Sequence, residues 1–163
     1  MPNHCTNTLV LKGEYSHRQE FVDKNRGFGM WDTAKEREYS ALSFNAQVPC
    51  PKKHISKHKG NPSESGWYSW CLKHWGTKWD CYEESVEHHE KYTVYSFDTA
   101  WSPPVDWIKN VSKKFPHLMF ENTWAEEGGE GGEFHFQGGD VFHDKMMSDE
   151  EWKDYMGFEY DEE

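Results

Sequence analysis

The segment from residue 92 to residue 104, YTVYSFDTAWSPP, constrains the fold more than any other part of the chain. Apolar and polar residues alternate from Thr93 to Phe97, which is the period-two pattern of a strand with one covered face. Pro103 fits the first turn of a helix, where a missing N–H costs little, and Ser102 is a suitable N-cap. The sequence therefore predicts a strand that passes directly into a helix, with residues 99–102 at the junction.

This junction is also a candidate site, because the rim of a sheet is a favoured place for ligand contacts. A phosphate bound at the start of the helix would need free N–H donors, and Pro103 and Pro104 remove two of them. Ser102 is therefore expected to cap the helix rather than to bind an anion.

Other segments show weaker patterns of strands and helices. Residues 81–91 are polar and are predicted to form a loop or the tip of a hairpin. Comparable numbers of helices and strands predict an α+β fold, with helices packed on one face of a largely antiparallel sheet. Strands are predicted at residues 4–12, 41–48, 92–98, 117–125 and 133–138, and helices at 14–25, 63–75 (capped by Ser63), 103–115 and from Ser148 onward.

Length and composition predict one domain with a tail. A chain of 163 residues can bury one core but is too short for two full domains. Hydrophobic residues make up only 35% of the chain, yet nine residues are Trp, so the core is expected to rest on a few large rings. We assign residues 1–143 to the domain and residues 144–163 to an acidic C-terminal extension with a short helix.

The charge distribution limits the partners. The net charge is −11, and residues 121–140 contain no Lys or Arg. Because affinity for a nucleic-acid backbone comes mainly from Lys and Arg, direct nucleic-acid binding is not expected, whereas a basic partner protein is. The spacing of the four cysteines matches no compact disulfide framework, and the sequence shows no signal peptide or membrane span. The sequence predicts a cytoplasmic protein with free thiols.

Six segments resemble, in order, the YubB-like family of ferredoxin-like domains, which occur in proteins of phages, plasmids and their bacterial hosts. The resemblance covers the chain up to about Asp140 and implies a ferredoxin-like fold, but it implies no reaction. His4 stands where the family usually has Trp, and Cys50 where it usually has Met. The segments are MPNHCTNTLVLKG, LSFNAQVPCP, WGTKWD, FDTAWSPP, KKFPHLMFENTWAEEGG and FHFQGG.

Two of these segments, WGTKWD and TAWS, supply the residues of a predicted pocket at the rim of the sheet. Indoles can stack on a flat ring, a lysine can meet an anion, and hydroxyl and carboxylate groups can orient polar edges, which together suit a nucleotide-like ligand. The alternative is that the tryptophans fill the core and that Lys78 pairs with Asp80 at the surface. The predicted ligand-binding residues are Trp75, Thr77, Lys78, Trp79, Asp80, Thr99, Trp101 and Ser102.

A second candidate is the acidic run from Glu121 to Glu133 together with the acidic tail from Asp144 to Glu163. It is predicted to bind a basic host protein or to imitate the charge of nucleic acid, the alternative being a solvated face that keeps the protein soluble. The predicted partner-binding residues are Glu126, Glu127, Glu130 and Glu133.

Catalytic and metal sites are not expected. A set of Cys71, His74, Cys81 and His88 or His89 matches no familiar zinc spacing. A second set, His117 and His135 with Glu121 and Glu133, has groups suited to acid–base work, but no nucleophile motif accompanies it. We therefore predict no metal and no cofactor.

The sequence as a whole predicts a non-enzymatic binding protein of a phage or mobile element. It would counter a host defence by sequestering a nucleotide-like molecule at the tryptophan-rich rim or by engaging a host protein. The alternatives are a hydrolase acting on a phosphorylated ligand at the same rim, with His135 or Asp80 as base, and an acidic mimic of nucleic acid.

Overall fold

The structure, a computed structural model of the chain, describes residues 2–27, 40–55 and 66–157. Six strands and five helices lie in these ranges. The strands are β1 (His4–Lys12), β2 (Tyr82–His88), β3 (Tyr92–Ala100), β4 (Met119–Glu126), β5 (Gly131–Gln137) and β6 (Asp140–Met146). The helices are α1 (Tyr15–Lys24), α2 (Lys52–Ile55), α3 (Trp67–His74), α4 (Val105–Lys114) and α5 (Asp149–Met156).

All six strands form one sheet in the order β2-β3-β1-β4-β5-β6, and every pairing is antiparallel. The first four strands with α1 and α4 make the ferredoxin-like arrangement, in which two crossovers through helices place β1 in the middle. The hairpin of β5 and β6 extends that sheet on one side. The fold is α+β and ferredoxin-like, as predicted.

The inner face of the sheet, which lies under α1 and α4, carries the core. Alternate residues of β1 point into it, and Cys5, Leu9 and Leu11 are fully buried, as their shared parity predicted. Phe21 of α1 packs edge to face against Phe115 with ring centroids 4.9 Å apart. Each such pair stabilises the fold by about 0.5–1.5 kcal/mol in addition to the free energy gained by burying the rings. Aromatic rings therefore supply much of the core, as the composition predicted.

The outer face of the sheet is covered in part by α5. The hydroxyl groups of Tyr155 and Thr8 are 2.8 Å apart, and the indole N–H of Trp152 donates to the carbonyl of Glu126. Helix α5 begins with the predicted cap, because Ser148 accepts from the N–H of Glu151 in a capping box. The boundary that we drew after residue 143 falls inside β6.

The predicted strand at residues 41–48 is wrong, because residues 44–47 form a turn. Leu42, Phe44 and Ala46 alternate with polar residues, but the alternation arises from a turn whose backbone N–H groups bind the side chain of Asp80. Phe44 still enters the core, where its ring stacks on Trp107 at 4.4 Å.

The predicted loop at residues 81–91 is also wrong for most of its length. Residues 82–88 form β2, an edge strand, and only the residues between β2 and β3 make the hairpin turn. An edge strand with one solvated face needs few apolar residues, and Val86, opposite Tyr95, packs against the core. Ser63, the predicted cap of the second helix, lies outside the described residues, and α3 begins after Gly66.

No helix in the described part of the chain is long and apolar enough to cross a membrane.

Candidate functional site

The junction between β3 and α4 presents Trp101 in an unusual conformation. Its φ is 71°, in the left-handed region, and 54% of the residue is exposed. For a bulky residue this backbone is a genuine outlier, and it costs about 1–2 kcal/mol. The N–H of Trp101 donates to the carbonyl of Asn3 at 3.0 Å, which fixes the strained residue against the start of the chain.

We define the junction loops as residues 75–80 and 99–104. Two hydrogen bonds join them side by side: the hydroxyl of Thr77 donates to the carbonyl of Ala100 at 2.8 Å, and that of Ser102 donates to the carbonyl of Gly76 at 2.7 Å. The loops therefore form one unit, and Trp101 lies between Ala100 and Ser102, the two residues that bond to the other loop.

Ser102 is not the N-cap of α4, so that prediction is wrong. The helix begins at Val105 and no side chain caps it. The N–H of Trp107 donates instead to the carbonyl of Trp75 at 3.2 Å. A main-chain carbonyl thus fills the place that a capping side chain or an anion would take.

Three of the predicted ligand-binding residues, Trp75, Thr77 and Thr99, are fully buried. The indole N–H of Trp75 donates to the carbonyl of Val48, and the hydroxyl of Thr99 donates to the carbonyl of Ser102. These side chains are scaffold, because they have internal partners and no surface that a ligand could reach. The alternative reading, in which the tryptophans fill the core, holds for Trp75.

Asp80 is buried as well, and its carboxylate holds the turn at residues 44–47. It accepts hydrogen bonds from the hydroxyl of Ser43 and from the backbone N–H groups of Phe44, Asn45 and Cys81. Burial raises the pKa of the Asp80 carboxyl above its usual range, while these hydrogen bonds lower it. Both oxygens are occupied, so Asp80 is not available as a catalytic base.

Lys78 and Trp79 remain partly exposed. The ammonium of Lys78 lies 4.6 Å from the centroid of the Trp79 ring and 6.0 Å from that of Tyr68. Aromatic faces therefore position Lys78, and the pairing with Asp80 that was the alternative to the pocket does not form. Of the eight predicted residues, Lys78, Trp79 and Ser102 are partly exposed, Trp101 is exposed, and the other four are buried.

The four acidic residues predicted to bind a partner are not equivalent. Glu127 and Glu130 are exposed on the turn between β4 and β5. Glu126 folds back to accept from the N–H of Gly128 at 2.9 Å, and Glu133 contacts His143. Two of the four carboxylates therefore have internal partners.

The cysteine and histidine set does not converge. Cys71 is fully buried, and burial raises the pKa of its thiol and of the Cys81 thiol. His88 lies on the edge strand, with its Nδ1 2.9 Å from the hydroxyl of Thr93. None of the four cysteines is in a disulfide bond.

A different cluster forms on the outer face of β5 and β6. Glu133, His135 and His143 offer ligand atoms that all lie within 4.8 Å of one another, and all three residues are half-buried. We call them the histidine cluster. Sequence reasoning placed His135 near Glu133 but grouped them with His117, which instead stacks on His17 with ring centroids 4.7 Å apart. It missed His143 because β6 was not predicted.

A shallow cleft of about 350 Å³ lies on the helical side of the molecule. Lys113 and Lys114 of α4 line it together with His74, at the end of α3. Lys114 already donates to the carbonyl of Gln47, so one of the two lysines has a partner within the protein.

Known proteins confirm the fold. A family model described as a ferredoxin-like domain in Api92-like protein matches residues 75–162. No curated protein matches the chain. The crystal structure of a protein named Api92 from Yersinia pseudotuberculosis is similar, with a TM-score of 0.68 and 8% identity over 91% of this chain and 99% of that one. The matched family range extends beyond Asp140, where the resemblance seen in the sequence ended.

Proposed function

The chain belongs to the family of ferredoxin-like domains in Api92-like proteins, and from that premise we propose that it is a non-catalytic protein that binds a nucleotide-like small molecule. The binding site in this proposal is the accessible part of the junction loops. Trp101 provides the stacking face, and Lys78 and Trp79 lie in the adjoining loop.

The observation that carries the proposal is the exposed, strained indole of Trp101. A residue held at positive φ lowers stability, and an indole that is 54% exposed recovers little of that loss by burial. Strain of this kind persists where the surroundings enforce it, and it concentrates at binding sites. The hydrogen bonds around residues 99–102 supply that enforcement, so the indole is preorganised for a ring to stack on it.

The chemistry of the neighbouring loop supports a ligand with both a flat ring and a negative charge. Lys78 is held over the face of Trp79 rather than in an ion pair with Asp80. In a protein with a net charge of −11, a cation beside exposed aromatic groups favours an anionic ligand at that place over the rest of the surface. A nucleotide combines these two features.

Binding without turnover fits the positions of the candidate bases. Asp80 is buried with both oxygens occupied. His135 is on β5, which β1 and β4 separate from β3, a distance of about 14 Å at the usual strand spacing. Of the two bases of the hydrolase alternative, Asp80 thus has both oxygens engaged, and His135 is not beside Trp101. The proposed biological role is sequestration of a nucleotide signal on behalf of a phage or plasmid, and only the phage or plasmid setting in it comes from the YubB-like resemblance.

A thermal-shift screen against ATP, ADP-ribose and cyclic di-AMP tests the proposal. A compound that binds only the folded protein raises the melting temperature by about 5–10 °C at 100 times its Kd, for a chain of this size. We expect one compound to do so, to lose the effect in Trp101→Ala, and to be recovered intact after denaturation.

Tyr15→Ala is the matched control, because Tyr15 is 55% exposed on α1. We expect it to keep the full shift. A shift that survives Trp101→Ala but disappears in Lys113→Ala would move the site to the cleft and contradict the proposal. Conversion of the compound would contradict the non-catalytic part.

A further inference from the structure

We propose that the histidine cluster is a binding site for a divalent first-row transition-metal ion of the Zn²⁺ class. The proposal is independent of the nucleotide site, because the cluster lies on another part of the sheet. The Nε2 of His143 is 2.8 Å from Oε1 of Glu133, and the rings of His135 and His143 have centroids 4.5 Å apart. Three potential ligands therefore already point at one place.

The strand geometry explains why they converge. Phe134 and Phe136 are buried on the inner face, so Glu133 and His135, which alternate with them along the strand, must point outward together. The register of the last hairpin then sets His143 directly opposite His135. Two ligands at positions i and i+2 of one strand and a third on the neighbouring strand are held by the sheet itself rather than by a loop.

The donor atoms indicate which ions fit. Two imidazoles and one carboxylate suit Zn²⁺, Co²⁺, Ni²⁺ and related ions, whereas Mg²⁺ and Ca²⁺ prefer sites made of oxygen atoms. Three protein ligands leave a fourth position open for water or an anion, which is the pattern of reactive rather than purely structural zinc sites.

The neighbouring charges are arranged so that a cation is tolerated. Lys145 lies opposite Glu133 in the register, but its ammonium is 3.5 Å from the carboxylate of Glu151 on α5. The ring of Phe142 packs edge-on against His135 at 5.6 Å and shields one side of it. The ion pair with Glu151 reduces the repulsion between Lys145 and a bound cation. The contact with Phe142 restricts the rotation of the His135 imidazole.

Only small movements are required for binding. Around an ion with bonds of about 2.0–2.1 Å, tetrahedral ligand atoms lie about 3.4 Å apart, and the three groups here are within 4.8 Å of one another. The side chains of His143 and Glu133 are 38% and 40% exposed, so both can rotate. The metal would replace the hydrogen bond that now joins them.

Titration with Co²⁺ and Zn²⁺ tests the site, on tag-free protein freed of metal by a chelator. We expect visible d–d absorption that saturates at one equivalent of Co²⁺, displacement of Co²⁺ by Zn²⁺, and no competition from Mg²⁺. His135→Ala and His143→Ala are expected to weaken binding by more than about 100-fold, because even the groups that orient metal ligands are worth 10- to 100-fold. Glu133→Gln should show a clear but smaller loss.

His117→Ala is the matched control, since it removes a histidine that stacks on another histidine away from the cluster. We expect its affinity to equal that of the wild type. Loss of binding in this variant, or retention in His143→Ala, would overturn the assignment.

A second measurement on the wild-type protein does not depend on the variants being folded. Addition of Zn²⁺ should shift backbone amide resonances of residues 133–143 and leave those of the junction loops unchanged. Absence of any Co²⁺ absorption, or shifts confined to other histidines, would show that only adventitious binding occurs and that the proposal is wrong.

Discussion

The junction loops and the histidine cluster both combine aromatic rings with a carboxylate, but they turn their polar side chains in opposite directions. In the junction loops, Trp75, Thr77 and Asp80 point inward and bind backbone groups within the protein. In the histidine cluster, the polar side chains of β5 face outward because the phenylalanines between them take the inner face. A mixture of aromatic and charged residues in the sequence therefore does not identify a site until the direction of each side chain is known.

The largest expected effect separates the buried and exposed indoles of the junction loops. Trp75→Ala should lower the free energy of unfolding by about 4 kcal/mol, because it removes a fully buried ring and leaves a cavity. Trp101→Ala should change it by about 1 kcal/mol or less, since the indole is half-exposed and alanine keeps the same backbone strain. Urea denaturation of both variants measures the contrast. Equal losses would remove the distinction between scaffold and site.

A matched pair of carboxylate-to-amide changes extends the comparison to polar groups. Asp80→Asn should cost about 2 kcal/mol, because the new NH₂ group faces backbone N–H donors that would lose their acceptor. Glu133→Gln should cost less than about 0.5 kcal/mol, because its side chain is 40% exposed and glutamine can still contact His143. Equilibrium unfolding in urea at neutral pH compares the two. A large loss of unfolding free energy in Glu133→Gln would show that the histidine cluster stabilises the fold rather than serving as a binding site.

The smallest expected effect concerns the strain at Trp101. Trp101→Gly and Trp101→Ala both remove the indole, so their difference reports on the backbone alone. Glycine should be the more stable variant by about 1 kcal/mol, because alanine keeps the penalty of positive φ. At an ordinary position the order is reversed. If alanine is the more stable variant in thermal and urea unfolding, the strain is absent and the main support for the binding site fails.

Much of the fold could be predicted where a pattern reports on burial. The alternation in β1 and β3 identified their inner faces, and Ser148 identified the start of α5. The same argument gave a wrong prediction for residues 41–48, because Asp80, a residue distant in sequence, sets their conformation. The polar strand β2 was missed because an edge strand needs few apolar residues.

The candidate sites were less predictable, since they depend on register. The sequence drew attention to Trp101 and Lys78, but it could not separate them from Trp75 and Asp80, which belong to the same predicted pocket and point inward. His143 carries no signal of its own. Only its pairing with His135 across the last hairpin makes it part of a cluster.

The most direct test of the account is an NMR spectrum of the indole N–H groups of the nine tryptophans. It would be recorded with and without the compound that gives the largest thermal shift among ATP, ADP-ribose and cyclic di-AMP, with Trp101 and Trp75 assigned by substitution. The account predicts that the Trp101 resonance moves on addition of the compound and that the Trp75 resonance stays in place. A spectrum in which Trp101 is unchanged would contradict the proposal that the junction loops bind a nucleotide.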